Sequence, residues 1–591
     1  MCGICGEYAL SNRAQGSASV LSMNAEMIRR GPDGSGIVSR NNATFGHRRL
    51  KIIDLSEASQ QPMVDPDLGL TIVYNGAIYN YPELKKELEA KGYRFFSKGD
   101  TEVILKAYDA WGLDFVKHLN GMFAIAIHER DTGKLVVARD RLGIKPFYYS
   151  RTVDHFRFAS SLPALLKSGG IDTSIDPVAF NHYMTFHSIV PAPRTMLNGV
   201  KKLPPATVAT LDDSGEWKEY NYWNTQFGPT DEEKNYSFDD WKSATLDVMR
   251  SAVKRRLIAD VPVGVLLSGG LDSSLIVGLL AEQGAKGLET FSIGFETVGD
   301  EEGDEFKYSD IIVDRFKTSH HKLFVDSKKA LPSLFDCIGQ MSEPMVSHDN
   351  VGFYLLSQEV AKHVKVVQSG QGADEIFGGY HWYPPMMESK DAVADYAKVF
   401  FDRDFTEFKE TVHPRFHEKD YALEFLQDHF AIPGAEEAVD KALRIDAQIM
   451  LVDDPVKRVD NNTMAASLEA RVPFLDHEVV EFAARVPAKY KLPDGGKYVL
   501  KEAAREVIPN GVIDRPKGYF PMPALKYLRG EFLDMARNSL TNQAARDRGL
   551  FNKPYVDKLL ADPEKHITPL RGSKLWQLSL LELWLQKHEI S

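Results

Sequence analysis

The chain has 591 residues, too many for one hydrophobic core, so at least two large domains are expected. A 43% hydrophobic and 26% charged composition is that of an ordinary globular enzyme, and a net charge of −12 with mixed signs excludes a basic phosphate-backbone binder, so no nucleic-acid partner is expected. Cys2, Cys5 and Cys337 are the only cysteines, too few for a disulfide framework, and point to a reducing, cytoplasmic setting.

No basic stretch followed by an apolar core marks the N-terminus, so no signal peptide is expected. The most apolar long window, Val263 to Ala281, holds Ser268, Asp272 and four glycines. It reads as a strand and helix around a polar turn, with no membrane partner.

Residues 1–205 read as β-rich. Thr71–Tyr74 predicts a strand ending at Asn75-Gly76. Gly121–Glu129 and Lys134–Arg139 predict a hairpin across Asp131-Thr132-Gly133. Phe147–Tyr149 and Phe156–Ala159 continue the strands, and Pro82–Lys91 and Glu102–Trp111 predict amphipathic helices. Stacked antiparallel sheets with helices outside follow.

Residues 206–240 are polar and predict a linker. From Trp241 strands alternate with helices. Helices are predicted at Trp241–Leu257, Ser274–Glu282, Ser309–Phe316 and Phe353–Lys362. Strands are predicted at Gly264–Leu267, Glu289–Phe295, Lys322–Val325 and Val364–Gln368. That alternation means a parallel α/β sheet, and beyond about 385 the chain reads as helical.

Cys2 follows the initiator Met directly, and trimming would leave it with a free α-amine. A thiol near pKa about 8.5 beside an amine near about 7.7 to 8.0 can lose its proton at physiological pH. The rival is a zinc or redox Cys2-Gly3-Ile4-Cys5, but zinc needs two more ligands and no second such pair exists.

Four more runs follow in order: Arg30–Gly36 (RGPDGSG), Gly46–Leu50 (GHRRL), Asn75–Asn80 (NGAIYN) and Gly99–Glu102 (GDTE). Together with Met1–Gly6 they resemble the class II glutamine amidotransferase domain. The resemblance implies that Cys2 attacks the glutamine amide, with Asn75 and the Gly76 N–H holding the oxyanion. It implies that Arg49 grips the glutamine α-carboxylate and Asp100 the α-ammonium. Ala77 departs from the Glu usual in asparagine synthetases.

Val263–Leu267 runs into Ser268-Gly269-Gly270-Leu271-Asp272-Ser273-Ser274 and then an apolar helix. Such a turn gathers backbone N–H groups and a helix N-terminus at one anion site. It is neither a Walker A loop nor a dinucleotide fingerprint. It resembles the PP-loop of ATP pyrophosphatases, which implies ATP cleavage to AMP and pyrophosphate. Leu267, Ser268, Gly269, Gly270, Ser273 and Ser274 would then hold ATP, with Ile293 in the adenine segment Phe291–Phe295.

Gln368–Glu375 (QSGQGADE) and Ile376–Tyr380 resemble the second nucleotide motif of the asparagine synthetase family. Ser369 and Gly370 would complete the ATP site there. Asp272 and Asp374 would share Mg²⁺, since two carboxylates converging on phosphate need a hard cation. Glu469–Asp476, Gly496–Lys501 and Arg515–Tyr519 complete the family's order, and Lys497 would stabilise charge during adenylation and amidation.

The resemblance covers nearly the whole chain. It implies an α+β N-terminal Ntn-hydrolase-type sandwich (1–205), a linker (206–240), and an α/β PP-loop ATP pyrophosphatase domain with a helical C-terminal part (241–591). It implies glutamine and a small carboxylate acceptor as substrates, and an internal route for ammonia between two sites. Members of the family often form homodimers, and a homodimer is implied on that ground alone.

Three stretches depart from the asparagine synthetase pattern: Gln371 in place of a Glu, Ser342–Asn350, and the acidic run Gly299–Glu305. With His381–Met386, they resemble the branch that amidates N-acetylglutaminylglutamine, an osmoprotectant dipeptide. Aspartate is the alternative acceptor. A glutamine-independent adenylating ligase and a non-catalytic scaffold are the remaining rivals, opposed by the intact Cys2, Arg49, Asn75 and Asp100 and by Asp272, Asp374 and Lys497.

Overall fold

The computed structural model describes residues 2–10, 17–295, 306–325, 327–516 and 528–590. The acidic run 299–305 and Lys517 to Tyr519 lie outside them. Two antiparallel six-stranded sheets form the N-terminal unit. The first runs, edge to edge, through Lys201–Lys202, Tyr148–Arg151, His155–Ala159, Gly3–Ala9, Ala43–Arg49 and Gly34–Arg40. The second runs through Trp217–Asn221, Thr207–Leu211, Leu135–Arg139, Gly121–Glu129, Leu70–Ile78 and Met63–Asp65.

Strand alternation builds the layers. Val73, Ala124, Ala126, Leu135 and Val137 face inward, against Ile4, Tyr8, Phe45 and Phe158 of the first sheet. Their neighbours Ile72, Tyr74, Ile125, Ile127 and Val136 face outward, under helices Tyr81–Ala90 and Asp100–Trp111. On the far side Cys5 packs against Val20, Met23 and Met27 near helix Ser17–Glu26. This is the expected sandwich of two sheets between helices.

The expected linker is a correction. Within 206–240, Thr207–Leu211 and Trp217–Asn221 are strands, and Leu211 and Ala209 sit in the inter-sheet core. The polar composition misled because Trp217–Asn221 is an edge strand, half-exposed from Trp217 and exposed through Asn221. The first domain therefore extends to about residue 221, and helix Phe238–Arg255 opens the second, capped by Ser237 and Asp240 in a capping box.

The second domain carries a five-stranded parallel sheet in the order Ser319–Val325, Glu289–Phe295, Val263–Leu266, Val366–Gln368, Glu469–Arg471. From Val263–Leu266 the chain first builds outward to one side, then returns to build the other. The carboxyl ends of Val263–Leu266 and Val366–Gln368 thus flank a topological switch point, where open α/β sheets bind ligands. Helices dominate after residue 385, as expected. One core joins the halves: Leu162, Leu165 and Phe180 of the first domain pack in the same cluster as Leu575, Trp576 and Leu581 of the last helix.

Candidate active sites

Cys2 lies at the head of Gly3–Ala9 and is buried, as is Asn75, which with Gly76 lies within the strand Leu70–Ile78 and not at the strand end expected there. Its N–H donates to Asn75 Oδ1 at 3.0 Å. That leaves Asn75 Nδ2, also buried, without a hydrogen-bond partner among the described residues. Gly76 allows the close approach: a Cβ there would lie 2.0 Å from the Met122 carbonyl oxygen. Cys2, Arg49, Gly76, Ala77 and Asp100 line one narrow cavity. Burial pushes the Cys2 thiol up, opposed by the chain's amino-terminal charge and Arg49.

Arg49 donates to the Ser56 carbonyl at 2.7 Å and to the Asp54 carbonyl. The guanidinium is therefore held by the loop after its strand. Asp54 ties that loop, accepting from Ser56, Ser59 and the Lys98 N–H. Tyr74 Oη and the Ile78 N–H donate to Asp100 at 2.9 and 3.1 Å, and burial raises the Asp100 carboxyl above its usual range. A carboxylate whose charge is costly in the empty cavity suits a cationic ligand. Cys5 does not join Cys2: its thiol lies 3.7 Å from the Val20 carbonyl, in the core behind the sheet. Among the described residues no group of three or more metal-ligating side chains gathers, so the zinc reading has no site.

The second site is a cavity of about 700 Å³ at the switch point. Leu267, Ser268, Gly270, Asp272 and Ser273 line one wall, Ser369, Gly370 and Asp374 another, with Ile293 and Lys497 between them. Helix Leu271–Glu282 starts at this wall, pointing its N-terminus into the cavity. Ser268 and Ser273 hydroxyls lie 3.1 Å apart.

Gly269 and Ser274, expected with them, do not line the cavity. Gly269 (φ +73°) lets the loop pass the helix Phe306–Phe316, a Cβ there meeting the Ser309 nitrogen at 2.6 Å. Ser274 is fully buried beneath.

Lys497 joins the two motifs. Its Nζ lies 2.7 Å from Asp272 and 2.9 Å from Asp374. Burial works against its charge, but the two carboxylates outweigh it and push the ammonium up. Two carboxylates brought to one cation beside a phosphate-binding loop fit Mg²⁺, which takes one or two carboxylates plus substrate oxygens.

The departures separate in space. Gln371 and Asp349 line the cavity. Glu343 instead sits in a buried ion cluster with Lys202, at 2.9 Å, and Lys457, at 3.3 Å. Trp382 and Tyr383 donate to the buried Asp446 at 2.9 and 2.6 Å, away from the cavity.

Sequence reasoning missed two acids. Glu375 lines the ATP-side cavity, accepts from Tyr380 at 2.7 Å, and is raised to about 7 by burial and by Asp374. Glu469 lines the Cys2 cavity from the second domain. Both fall in motifs already singled out, but nothing in a motif says which member faces which cavity.

A buried N-terminal cysteine on a two-sheet sandwich, joined to a glycine-rich phosphate turn on a parallel sheet, defines an ATP-dependent glutamine amidotransferase with glutamine as the amide donor. A glutamine amidotransferase domain matches residues 1–223 and asparagine synthase matches residues 244–586. Asparagine synthetase [glutamine-hydrolyzing] 1 of Bacillus subtilis is 31% identical over 99% of this chain and 96% of its own. Asparagine synthetase [glutamine-hydrolyzing] 3 of the same organism is 32% identical over 88% of this chain and 87% of its own. Asparagine synthetase B of Escherichia coli is 27% identical over 88% of this chain and 82% of its own. The chain belongs to the asparagine synthetase family. No helix among the described residues is long and apolar enough to cross a membrane.

Proposed function

We propose that this protein adenylates the C-terminal carboxylate of N-acetylglutaminylglutamine and amidates it with ammonia from glutamine, making an osmoprotectant dipeptide amide in the cytoplasm. The observation that carries the acceptor is Gln371: a neutral side chain lines the reaction cavity where asparagine synthetases usually carry a Glu.

Cys2 is the nucleophile toward the glutamine amide. Asn75 Nδ2, a buried donor with no partner among the described residues, stabilises the oxyanion with the Gly76 N–H. Arg49 and Asp100 hold the two ends of the amino acid. Ammonia passes inside the protein to the second cavity.

There Ser268, Ser273 and the helix N-terminus hold the ATP phosphates, with Gly269 shaping the loop. The acceptor carboxylate attacks the α-phosphate, forming acyl-adenylate and releasing pyrophosphate. Lys497 stabilises the charge growing on the α-phosphate, then on the adduct formed by ammonia, which loses a proton and expels AMP to leave the amide. Asp272 and Asp374 would hold Mg²⁺, which would supply positive charge for the pyrophosphate leaving group.

A second reading is supported by the relatives' names: aspartate as acceptor and asparagine as product. Acceptor-dependent pyrophosphate release with ATP, Mg²⁺ and glutamine separates the two, comparing dipeptide with aspartate and identifying product by mass spectrometry. Turnover with the dipeptide and little with aspartate is the expected result. The reverse preference makes the protein an asparagine synthetase.

A further inference from the structure

Part of what fixes Cys2 comes from the other domain. Its N–H is held by Asn75. Its carbonyl accepts from Arg30 Nε at 3.4 Å. Arg30 is buried, and its Nη1 reaches Asp460 at 2.9 Å. The other Asp460 oxygen lies 3.2 Å from Lys145 Nζ. Asp460 sits on helix Lys457–Met464 of the synthetase domain and is itself 3% exposed. Burial opposes its charge, but Arg30 and Lys145 outweigh it and hold the carboxyl below its usual range.

We infer that Asp460 is a positioning residue for glutamine hydrolysis, fixing the Cys2 main chain through Arg30 from inside the synthetase domain. The inference rests on the reading of Cys2 as the nucleophile.

The physical need is plain. A chain-terminal residue has one covalent neighbour, so non-covalent contacts decide where its thiol points. A nucleophile displaced by about 1 Å can lose about 100-fold in rate. Arg30 has a flexible stem, and its guanidinium stays under the Cys2 carbonyl because a buried carboxylate pins its far end.

Two other synthetase-domain carboxylates reach the same site. Glu469 lines the Cys2 cavity, and Asp260 accepts from the Asp54 N–H at 2.7 Å, in the loop that holds Arg49. The Asp460 helix also carries Arg458, 2.8 Å from Asp349 at the nucleotide cavity. One short helix therefore contacts Arg30 behind Cys2 and Asp349 on the nucleotide cavity's lining.

The test uses the full-length protein and two assays on each preparation: glutamate release from glutamine, and ammonium-driven pyrophosphate release with whichever acceptor turns over. Asp460→Asn should lower kcat for glutamate release about 10- to 100-fold, with KM for glutamine within about threefold. Ammonium-driven turnover should stay within about twofold, which also shows that the variant folds. Asp460→Glu should recover most of the loss. An Arg30→Lys change added to Asp460→Asn should cost little more than either alone, because both break one linkage.

Equal losses in both assays would mean a structural role only and overturn the inference, as would unchanged glutamate release. A parallel Cys2→Ala variant separates the two readings. If it still releases glutamate, the nucleophile assignment falls and this inference with it. If it is inactive while Asp460→Asn is normal, only the inference falls.

Discussion

Asn75 does two jobs with one amide. Its oxygen takes the Cys2 N–H, and its nitrogen is left as a buried donor with no partner among the described residues. Leaving a buried donor unpaired costs about 1–3 kcal/mol, and an oxyanion formed in the reaction recovers it. Asn75→Ala should therefore lower kcat for glutamate release about 10²–10³-fold, measured by coupled glutamate assay. Ammonium-driven synthesis should persist, since the second cavity shares none of these groups. Lys497 works by the opposite logic. It is a buried cation fully paired before substrate arrives, with Asp272 and Asp374 both within 2.9 Å. It holds together two carboxylates that repulsion would otherwise splay.

At the scale of elements, the turn between Val263–Leu266 and Leu271–Glu282 depends on one left-handed residue. Gly269 at φ +73° has no room for a Cβ against Ser309. Left-handed backbone costs an L-residue about 1–2 kcal/mol before any clash. Gly269→Ala should raise KM for ATP in acceptor-dependent pyrophosphate exchange by about tenfold or more, with glutamate release little changed.

Asp446 plays a different part. It takes hydrogen bonds from Trp382, Tyr383 and Tyr396, tying the segment after the second nucleotide motif to a buried helix. Burial raises its carboxyl to about 6 despite those donors, against about 3.9 when unfolded. A raised carboxyl means the folded state binds more protons between those values. Its contribution to stability is full below about pH 4 and is lost as pH rises through about 6, a change of about 3 kcal/mol. Asp446→Asn should remove that slope. Unfolding midpoints of wild type and variant, followed from pH 4 to 7, should show the wild type losing more.

Buried charges lie between the domains beside the apolar core that joins them. Lys202 of the first domain faces Glu343 at 2.9 Å and Asp453 at 2.5 Å of the second, and Lys457 closes the cluster. Two cations and two anions balance, so removing one member leaves a buried charge without compensation. Glu343→Ala should destabilise the protein by about 3–5 kcal/mol, seen as a lower unfolding midpoint in both catalytic halves together. A solvent-exposed pair such as Lys553–Asp557 should cost under about 1 kcal/mol when broken. The same interface carries Arg30–Asp460 into the Cys2 site, so the contacts that join the domains also shape the glutamine-hydrolysing centre.

The sequence by itself determined the two chemistries and their order along the chain. Cys2, Asn75-Gly76 and the serine-glycine loop at 268–274 are short motifs, legible from neighbouring residue types, although Asn75-Gly76 lies within the strand Leu70–Ile78 and does not end it. The apolar run Gly121–Glu129, buried along its length and followed by a hairpin signal, was legible too. Gly3–Ala9 was not: a Cβ at Gly6 would sit 2.5 Å from Phe158 on the paired strand, and one at Gly3 would sit 2.9 Å from Met27. Glu469–Arg471 was not either. With two charges in three residues it carries no strand pattern, and Arg471 is fully buried, paired with Glu469 and donating to the Arg256 and Ile258 carbonyls. Trp217–Asn221 read as linker because an edge strand is polar on its exposed side.

Only the tertiary structure decided that Glu343 belongs to an ion cluster while Asp349, six residues on, faces the reaction cavity. It alone brought Asp460 and Glu469 to a cysteine more than four hundred residues away. Contacts between distant segments depend on how two domains pack, and no local pattern of residue types encodes that packing.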